Sequence, residues 1–448
     1  MDDARRGGWA SRFGFIMAAA GSAVGLGNIW KFPYVTGAHG GGAFLAIYLV
    51  CVFGFGLALV MAELVMGRMS RRNPVGAFKR LAGSAWPAAG GLGVVTAVVI
   101  LSFYIVVAGW AIAYLVYALD GALSATDADA LNALFRRLTG APVAPLLYAA
   151  AFMLATAVVV ARGIAGGIER MSKLFMPLLF GILVLLVLRA VTLPGAGEGL
   201  AFFLRPDWSS VDIGTVSAAL GQAFFSLSLG LGGLITYGSY MSPRQNLGRD
   251  ALAVVLLDTV VAVLAGLMVL PAMMAAGMTP AEGGPGTTFK VLPAVFAAMP
   301  AGRLFSIGFF LLLTLAALTS SVSLLEPVVS YLVDERGLKR TTASALGSLV
   351  CFALAVPVSL SFGVWHEVTF AGLTLFGLMD FFASHLSLPI GSLLTAICLG
   401  WVVGRPALDE LASRGQPVAA WAPVWLFFIR FIAPFAIAWI LIQGLIPG

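Results

Sequence analysis

Charge is scarce in this chain. Asp, Glu, Lys and Arg make up 10% of its 448 residues, while 60% are hydrophobic, and the mean hydropathy is +1.00. A soluble domain draws roughly a quarter of its residues from the charged set, so a water-soluble fold is excluded. Histidine and cysteine are equally few, with three of each. Cys51, Cys351 and Cys398 all lie inside apolar runs, which leaves neither a disulfide framework nor metal-ligand spacing. His39, His366 and His385 are scattered near the ends of apolar runs. Neither HExxH nor GxxxxGK[ST] occurs, so neither a zinc-protease helix nor an ATP-binding loop is indicated. The short alternating segments of a membrane barrel are missing as well.

What remains is a series of long apolar runs. A membrane-crossing helix needs roughly 20 apolar residues. Eleven candidates stand out, at 10–36, 41–69, 90–119, 142–160, 166–190, 213–238, 247–276, 302–333, 341–360, 369–399 and 421–446. Polar stretches such as RMSRRNP, SPRQN and DERGLKR separate them. The expected fold is an all-α polytopic membrane protein with about 11 transmembrane helices. No cleavable leader is visible ahead of the first span. With the N-terminus in the cytoplasm, eighteen of the 26 Lys+Arg fall on the inner side, among them Arg68, Arg71, Arg72 and Arg340. That asymmetry sets the orientation and accounts for the net charge of +6 without nucleic acid. Arg430 falls inside the last span and belongs to neither side.

Two runs are interrupted. In AAAGSAVGLGNIWKFPY, Gly21, Gly25 and Gly27 fall close together, followed by Asn28, Lys31 and Pro33. Hydrocarbon offers no partners to backbone N–H and C=O groups, so non-helical backbone at that depth occurs where protein or a bound ion satisfies it. The sixth run, GQAFFSLSLGLGGLITYGSY, repeats the feature at Gly230, Gly232 and Gly233, beside Ser226 and Ser228. Glycine in membrane helices also serves close packing. Two interruptions five spans apart, each beside polar residues, instead suggest two inverted five-helix repeats with broken helices 1 and 6. In transporters of that design the substrate and ion sites lie near the midplane. The organisation is then a cytoplasmic N-terminus at 1–9, a first repeat at 10–190, a second at 213–399 and an eleventh helix at 421–446.

The stretches WASRFGFIMAAAGSAVGLGNIWKFPY, HGGGAF, MAELVMGR, GQAFFSLSLGLGGLITYGSY and LAALTSSVSLLEPVVSYLVDE carry a resemblance. From Trp9 to about Gly404 the chain resembles the neurotransmitter:sodium symporters, bacterial amino-acid transporter branch, with the leucine-transporter-type fold. The resemblance implies two sodium ions. Site 1 matches the carbonyl of Ala23 with the side chains of Asn28, Ser226 and Asp258, completed by the substrate carboxylate. Site 2 matches the carbonyls of Gly21, Val24 and Ala316 with the hydroxyls of Thr319 and Ser320. Hard cations prefer such oxygen ligands. Leu26 and Gly27 would present backbone N–H groups to the carboxylate of an amino acid. Ile100, Tyr104, Phe225, Ser228, Leu231, Ser320 and Leu324 match the family's pocket wall, with Tyr104 on the carboxylate and Phe225 as the outer cap.

Further assignments follow from the same resemblance. Amine-carrying relatives have an acidic side chain where this chain has Gly25, so the substrate must bring its own carboxylate. Many relatives have Asn at the place of Asp258 and bind chloride nearby. Here the acid, with Ala262 one turn on, points to chloride independence. Lys31 and Asp380 match an outer gate, which is looser than one built on Arg because Lys lacks the planar fork. Arg6 and Asp334 match an inner gate, with Trp9 beside it. Glu63 resembles an acid that braces the unwound segments, while Glu326 has only an unspecified polar contact. Gly167 and Pro177 match a Gly-X9-Pro motif linked to unwinding of the fifth helix. Leu231, Ser384 and Ser22, read against bulkier or smaller residues in relatives, imply a hydrophobic zwitterionic substrate, branched aliphatic to aromatic. The implied function is sodium-coupled amino-acid import across a bacterial plasma membrane by alternating access, without enzymatic chemistry. A transport-inactive sensor and a proton-coupled transporter on the same fold remain alternatives.

Overall fold

The computed structural model describes residues 7–124, 128–279, 287–411 and 418–445. Among these residues nine helices are long and apolar enough to cross a membrane, and a bent pair, Arg12–Ala23 with Gly27–Ala38, makes a tenth. Ile213–Ser226 and Gly233–Ser239, divided by six non-helical residues, stand where the broken sixth span is expected. The others are Gly42–Ser70, Pro87–Leu119, Ala144–Ala161, Ile164–Val191, Leu247–Ala275, Gly302–Arg336, Arg340–Leu360, Leu375–Val403 and Ala422–Gln443.

Burial sorts these spans into a centre and a periphery. The third and eighth are buried over 72% of their most apolar stretch, the fourth and fifth over 33%. The peripheral spans turn Leu147, Leu154, Leu174 and Leu185 outward, as a lipid-facing surface requires. The central ones carry the polar residues: Thr319, Ser320, Ser321, Ser323 and Glu326 are all buried on the eighth. Polar groups in a membrane protein cluster where protein, not lipid, surrounds them.

One sequence expectation needs adjusting. The tenth span begins at Leu375, not at 369, because Thr369–Phe370 pairs with Leu373–Thr374 in a two-stranded turn. Thr374 then caps the helix by accepting the Gly377 N–H at 3.2 Å. The connections carry structure of their own, for which the sequence set no expectation. Short helices cover Pro74–Ala82, Ala128–Gly140, Ala196–Leu204 and Pro406–Leu411. Asn73 opens the first of these as a capping residue, accepting the Gly76 N–H at 3.1 Å. In the second, Leu131, Phe135 and Leu138 recur at helical spacing and are buried, so it lies flat on the bundle.

Candidate functional site at the two helix breaks

The first span bends by 48° at its break. Val24 leaves helical geometry at ψ 105°, and the Gly25 N–H is taken up by Asn28 Oδ1 at 3.2 Å. Gly25 has no room for a side chain: a Cβ would stand 3.0 Å from Tyr104 Oη and collide with Ser320 Oγ. The sixth break is longer. Ser228, Gly230 and Gly232 all take positive φ, at 53°, 86° and 78°. Glycine adopts such angles freely and serine at a cost. The Gly230 N–H donates to Glu63 Oε1 at 2.7 Å, so the buried acid holds the break directly.

Three residues from three spans meet between the breaks. Asn28 Nδ2 donates to Asp258 Oδ1 at 2.7 Å and to Ser226 Oγ at 2.9 Å. Ser226 Oγ donates to Asp258 Oδ2 at 2.8 Å. All three side chains are buried, Asp258 completely, and no basic side chain pairs with it among the described residues. An uncompensated carboxylate at this depth is costly. A second oxygen cluster joins the first and eighth spans. Ser320 Oγ lies 3.3 Å from the Gly21 carbonyl and 3.0 Å from that of Val24. Thr319 Oγ1 donates to the Ala316 carbonyl at 2.9 Å. A Cβ on Gly21 would come within 3.1 Å of Thr319 Cβ and 3.2 Å of Met176 Sδ, so the first, fifth and eighth spans converge here.

A narrow pocket lies beside these clusters. Ala23, Leu26, Gly27, Ile100, Tyr104, Phe225, Ser228, Leu231, Ser320 and Leu324 line it, with Ser22, Gly25 and Leu388. Ser226 faces Asp258 rather than the pocket. Tyr104 Oη accepts the Leu26 N–H at 3.3 Å. A larger cavity of about 290 Å³ lies beyond Phe225, lined among others by Lys31, Gln222, Ser384 and His385. Phe225 and Leu388 border both spaces and so form the partition. Ser384 therefore belongs to the larger cavity, where its hydroxyl donates to Asp380 Oδ1 at 3.0 Å. Lys31 Nζ sits 4.0 Å from the centre of the Phe225 ring, a cation–π contact. No ion pair joins it to Asp380 among the described residues.

On the opposite side Trp9 Nε1 donates to the Tyr237 carbonyl at 3.1 Å, and its ring meets Tyr237 and Tyr240 edge-on. Arg12 pairs with Asp250 at 2.6 Å. Asp334 accepts the Asn73 N–H and side-chain amide, each at 3.1 Å. Arg6 lies outside the described residues, so the inner pair cannot be drawn. Glu326 has a definite role: it accepts the Tyr240 hydroxyl at 2.8 Å and is held in a fork by Arg340 Nη1 and Nη2. In the fifth span Gly167 belongs to the wide turn Ile164–Glu169 and Pro177 to the helix Arg170–Val191, both wound. Sequence reasoning missed Leu388 and Gln222. Leu388 carries no signal within an apolar run. Gln222, whose Nε2 donates to the Gly27 carbonyl at 3.1 Å, was visible as a lone amide in a membrane span.

The model of the sodium:neurotransmitter symporter family matches residues 6–133 and 139–447. The chain belongs to that family. A sodium-dependent transporter of Bacillus subtilis (strain 168), YhdH, is 41% identical over 431 residues, covering 96% of this chain and 95% of that protein. A sodium-dependent transporter of Haemophilus influenzae is 34% identical over 449 residues, 98% of each. The crystal structure of MhsT in complex with L-phenylalanine superposes with a TM-score of 0.91 at 44% identity, covering 98% of this chain and 100% of that one. As a member of this symporter family the chain is a sodium-dependent membrane transporter of leucine-transporter-type fold, and not an enzyme.

Proposed function

We propose that this symporter imports a hydrophobic zwitterionic amino acid with two sodium ions, by alternating access, with its N-terminus in the cytoplasm. The observation that carries the reading is Asp258: a fully buried carboxylate among oxygen-bearing side chains, with no basic partner among the described residues. A hard cation supplies the missing charge. The Ala23 carbonyl, Asn28, Ser226 and Asp258 are the proposed ligands of one ion. The Gly21, Val24 and Ala316 carbonyls, Thr319 and Ser320 are those of the other. The substrate carboxylate adds to the first ion and meets the amide groups of Leu26 and Gly27, with the Tyr104 hydroxyl beside them. Its side chain lies among Ile100, Leu231, Leu324 and Leu388. With no side chain at Gly25, nothing anionic holds an amine lacking a carboxylate. L-Phenylalanine bound to MhsT supports a substrate of this class.

Asp258 gives the site a fixed negative charge, so chloride is not required. Outward closure brings Phe225 over the pocket, with Lys31 and Asp380 above it. Inward release begins with the fifth span: Pro177 lacks an N–H and weakens the turn before it, and Met176 packs on Gly21. Unwinding between Gly167 and Pro177 withdraws Met176 and admits water to the second ion. Arg6 and Asp334 close the path before that step.

The test is uptake of labelled phenylalanine into proteoliposomes. Uptake is expected under an inward Na⁺ gradient and not under K⁺, and gluconate in place of chloride leaves it nearly unchanged. Leucine and methionine compete, whereas aspartate and lysine do not. Equal uptake in K⁺ refutes sodium coupling, and sodium-dependent binding without uptake marks a sensor.

A further inference from the structure

Arg430 sits about two helical turns into the eleventh span, which starts at Ala422. Its wide turn, Phe428–Ile432, packs against another at the end of the tenth span, Cys398–Val403. The two are stitched reciprocally. Arg430 Nε donates to the Gly400 carbonyl at 2.6 Å, and Trp401 Nε1 donates to the Arg430 carbonyl at 3.0 Å. Gly400 permits the approach, since a Cβ there would stand 2.9 Å from Arg430 Cα. The guanidinium carbon lies 5.2 Å from the centre of the Trp401 ring, and Nη2 reaches Gly404 at the end of the tenth span. Among the described residues the Nη groups make no hydrogen bond and no carboxylate pairs with the charge.

The surroundings are apolar and exposed on the outside of the bundle. Trp401 is 56% exposed, Phe427 55% and Val424 69%. Arg405, next to Gly404, is exposed too. This end of the bundle is the one where Glu410 pairs with Arg68 at the end of the second span. A charge within a span needs a partner, and a basic groove between spans near a membrane surface suits an acidic lipid headgroup. The planar fork of a guanidinium fits a phosphate bidentately, and Trp401 provides the amphipathic ring found at headgroup level.

We propose that Arg430, with its Nε fixed by Gly400 and its face against Trp401, binds the phosphodiester headgroup of an anionic lipid in the leaflet at the Arg68 end of the bundle. The tenth span, which carries Asp380 and Leu388, is thereby anchored at its far end to the eleventh and to the bilayer.

The probe is brominated phosphatidylglycerol against brominated phosphatidylcholine at equal mole fraction in symmetric vesicles, so the outcome does not depend on orientation or on the transport reading. The Trp401 signal is the difference between the parent protein and Trp401→Phe. Quenching of Trp401 is expected to show a roughly fivefold preference for phosphatidylglycerol, the equivalent of about 1 kcal/mol for one basic residue. Arg430→Gln abolishes the preference and Arg430→Lys keeps part of it, while an unchanged melting temperature and monodisperse elution of both variants report an intact fold. Equal quenching by the two lipids in the parent, or an undiminished preference in a folded Arg430→Gln protein, overturns the proposal. So does loss of the preference on adding inorganic phosphate, which would assign the site to a soluble anion.

Discussion

The two helix breaks look alike in sequence and differ in construction. The first is short and held by hydroxyl and amide groups: Asn28 takes the Gly25 N–H, and Ser320 reaches the Gly21 and Val24 carbonyls. The sixth is longer, uses three residues at positive φ, and hangs on a carboxylate through the contact from Gly230 to Glu63. In the first break the freed carbonyls are grouped around one hydroxyl. In the sixth the backbone is bent into a wall and pinned. The comparison teaches that the first break is held by side-chain hydroxyl and amide groups and the sixth by its own backbone shape and one carboxylate.

The largest effect is expected from damage to the wall. Gly230→Ala puts a Cβ into the Leu388 carbonyl and 2.8 Å from Ser392 Oγ, at φ 86°. Backbone strain and overpacking together cost on the order of 3 kcal/mol, read as a marked fall in melting temperature of the purified protein. An unchanged melting temperature would place the wall elsewhere.

Gly25→Ala comes next and acts on binding as well as on stability. The new methyl meets Ser320 and Tyr104, so substrate affinity is expected to drop roughly tenfold or more, with a smaller fall in melting temperature than in Gly230→Ala because the groups it meets are side chains that can shift. Scintillation proximity with labelled phenylalanine measures it. Ser320→Ala removes the donor shared by two carbonyls and should lower sodium affinity by roughly tenfold, seen as a rightward shift of the Na⁺ titration of binding. Loss of stability without that shift would make Ser320 a packing residue only.

The smallest effect is expected from Ser228→Gly. It relieves the left-handed cost at φ 53° but adds unfolded-state freedom, so the net change stays within about 1 kcal/mol. Thermal melting checks it. A large destabilisation would show that the Ser228 side chain, not its backbone, supports the wall.

Much of this was legible in the chain. Apolar length located the spans, and clustered glycines beside Asn28 and Ser226 located the breaks, because hydrocarbon tolerates neither charge nor free backbone without a reason. Resemblance then supplied the ligand assignments, which composition and spacing alone do not give. Less legible were features needing two distant strands of chain. The residues Glu326 and Arg340 lie fourteen apart, yet nothing local says that one grips the other and Tyr240 together. Ser384 read as a pocket residue lies in the larger cavity, since the partition is made by Phe225 and Leu388 from different spans.

Composition and periodicity by themselves determined that this is a helical membrane protein with two interrupted spans and an acid at Asp258 in its interior. Those properties follow from what each segment exchanges with water or lipid on its own. Only the tertiary structure decided which oxygens converge, that Asp258 finds no basic partner among the described residues, and that Arg430 is stitched to Gly400 and Trp401. Such outcomes depend on packing between spans far apart in the chain, where a shift of one helical turn would bring different side chains together.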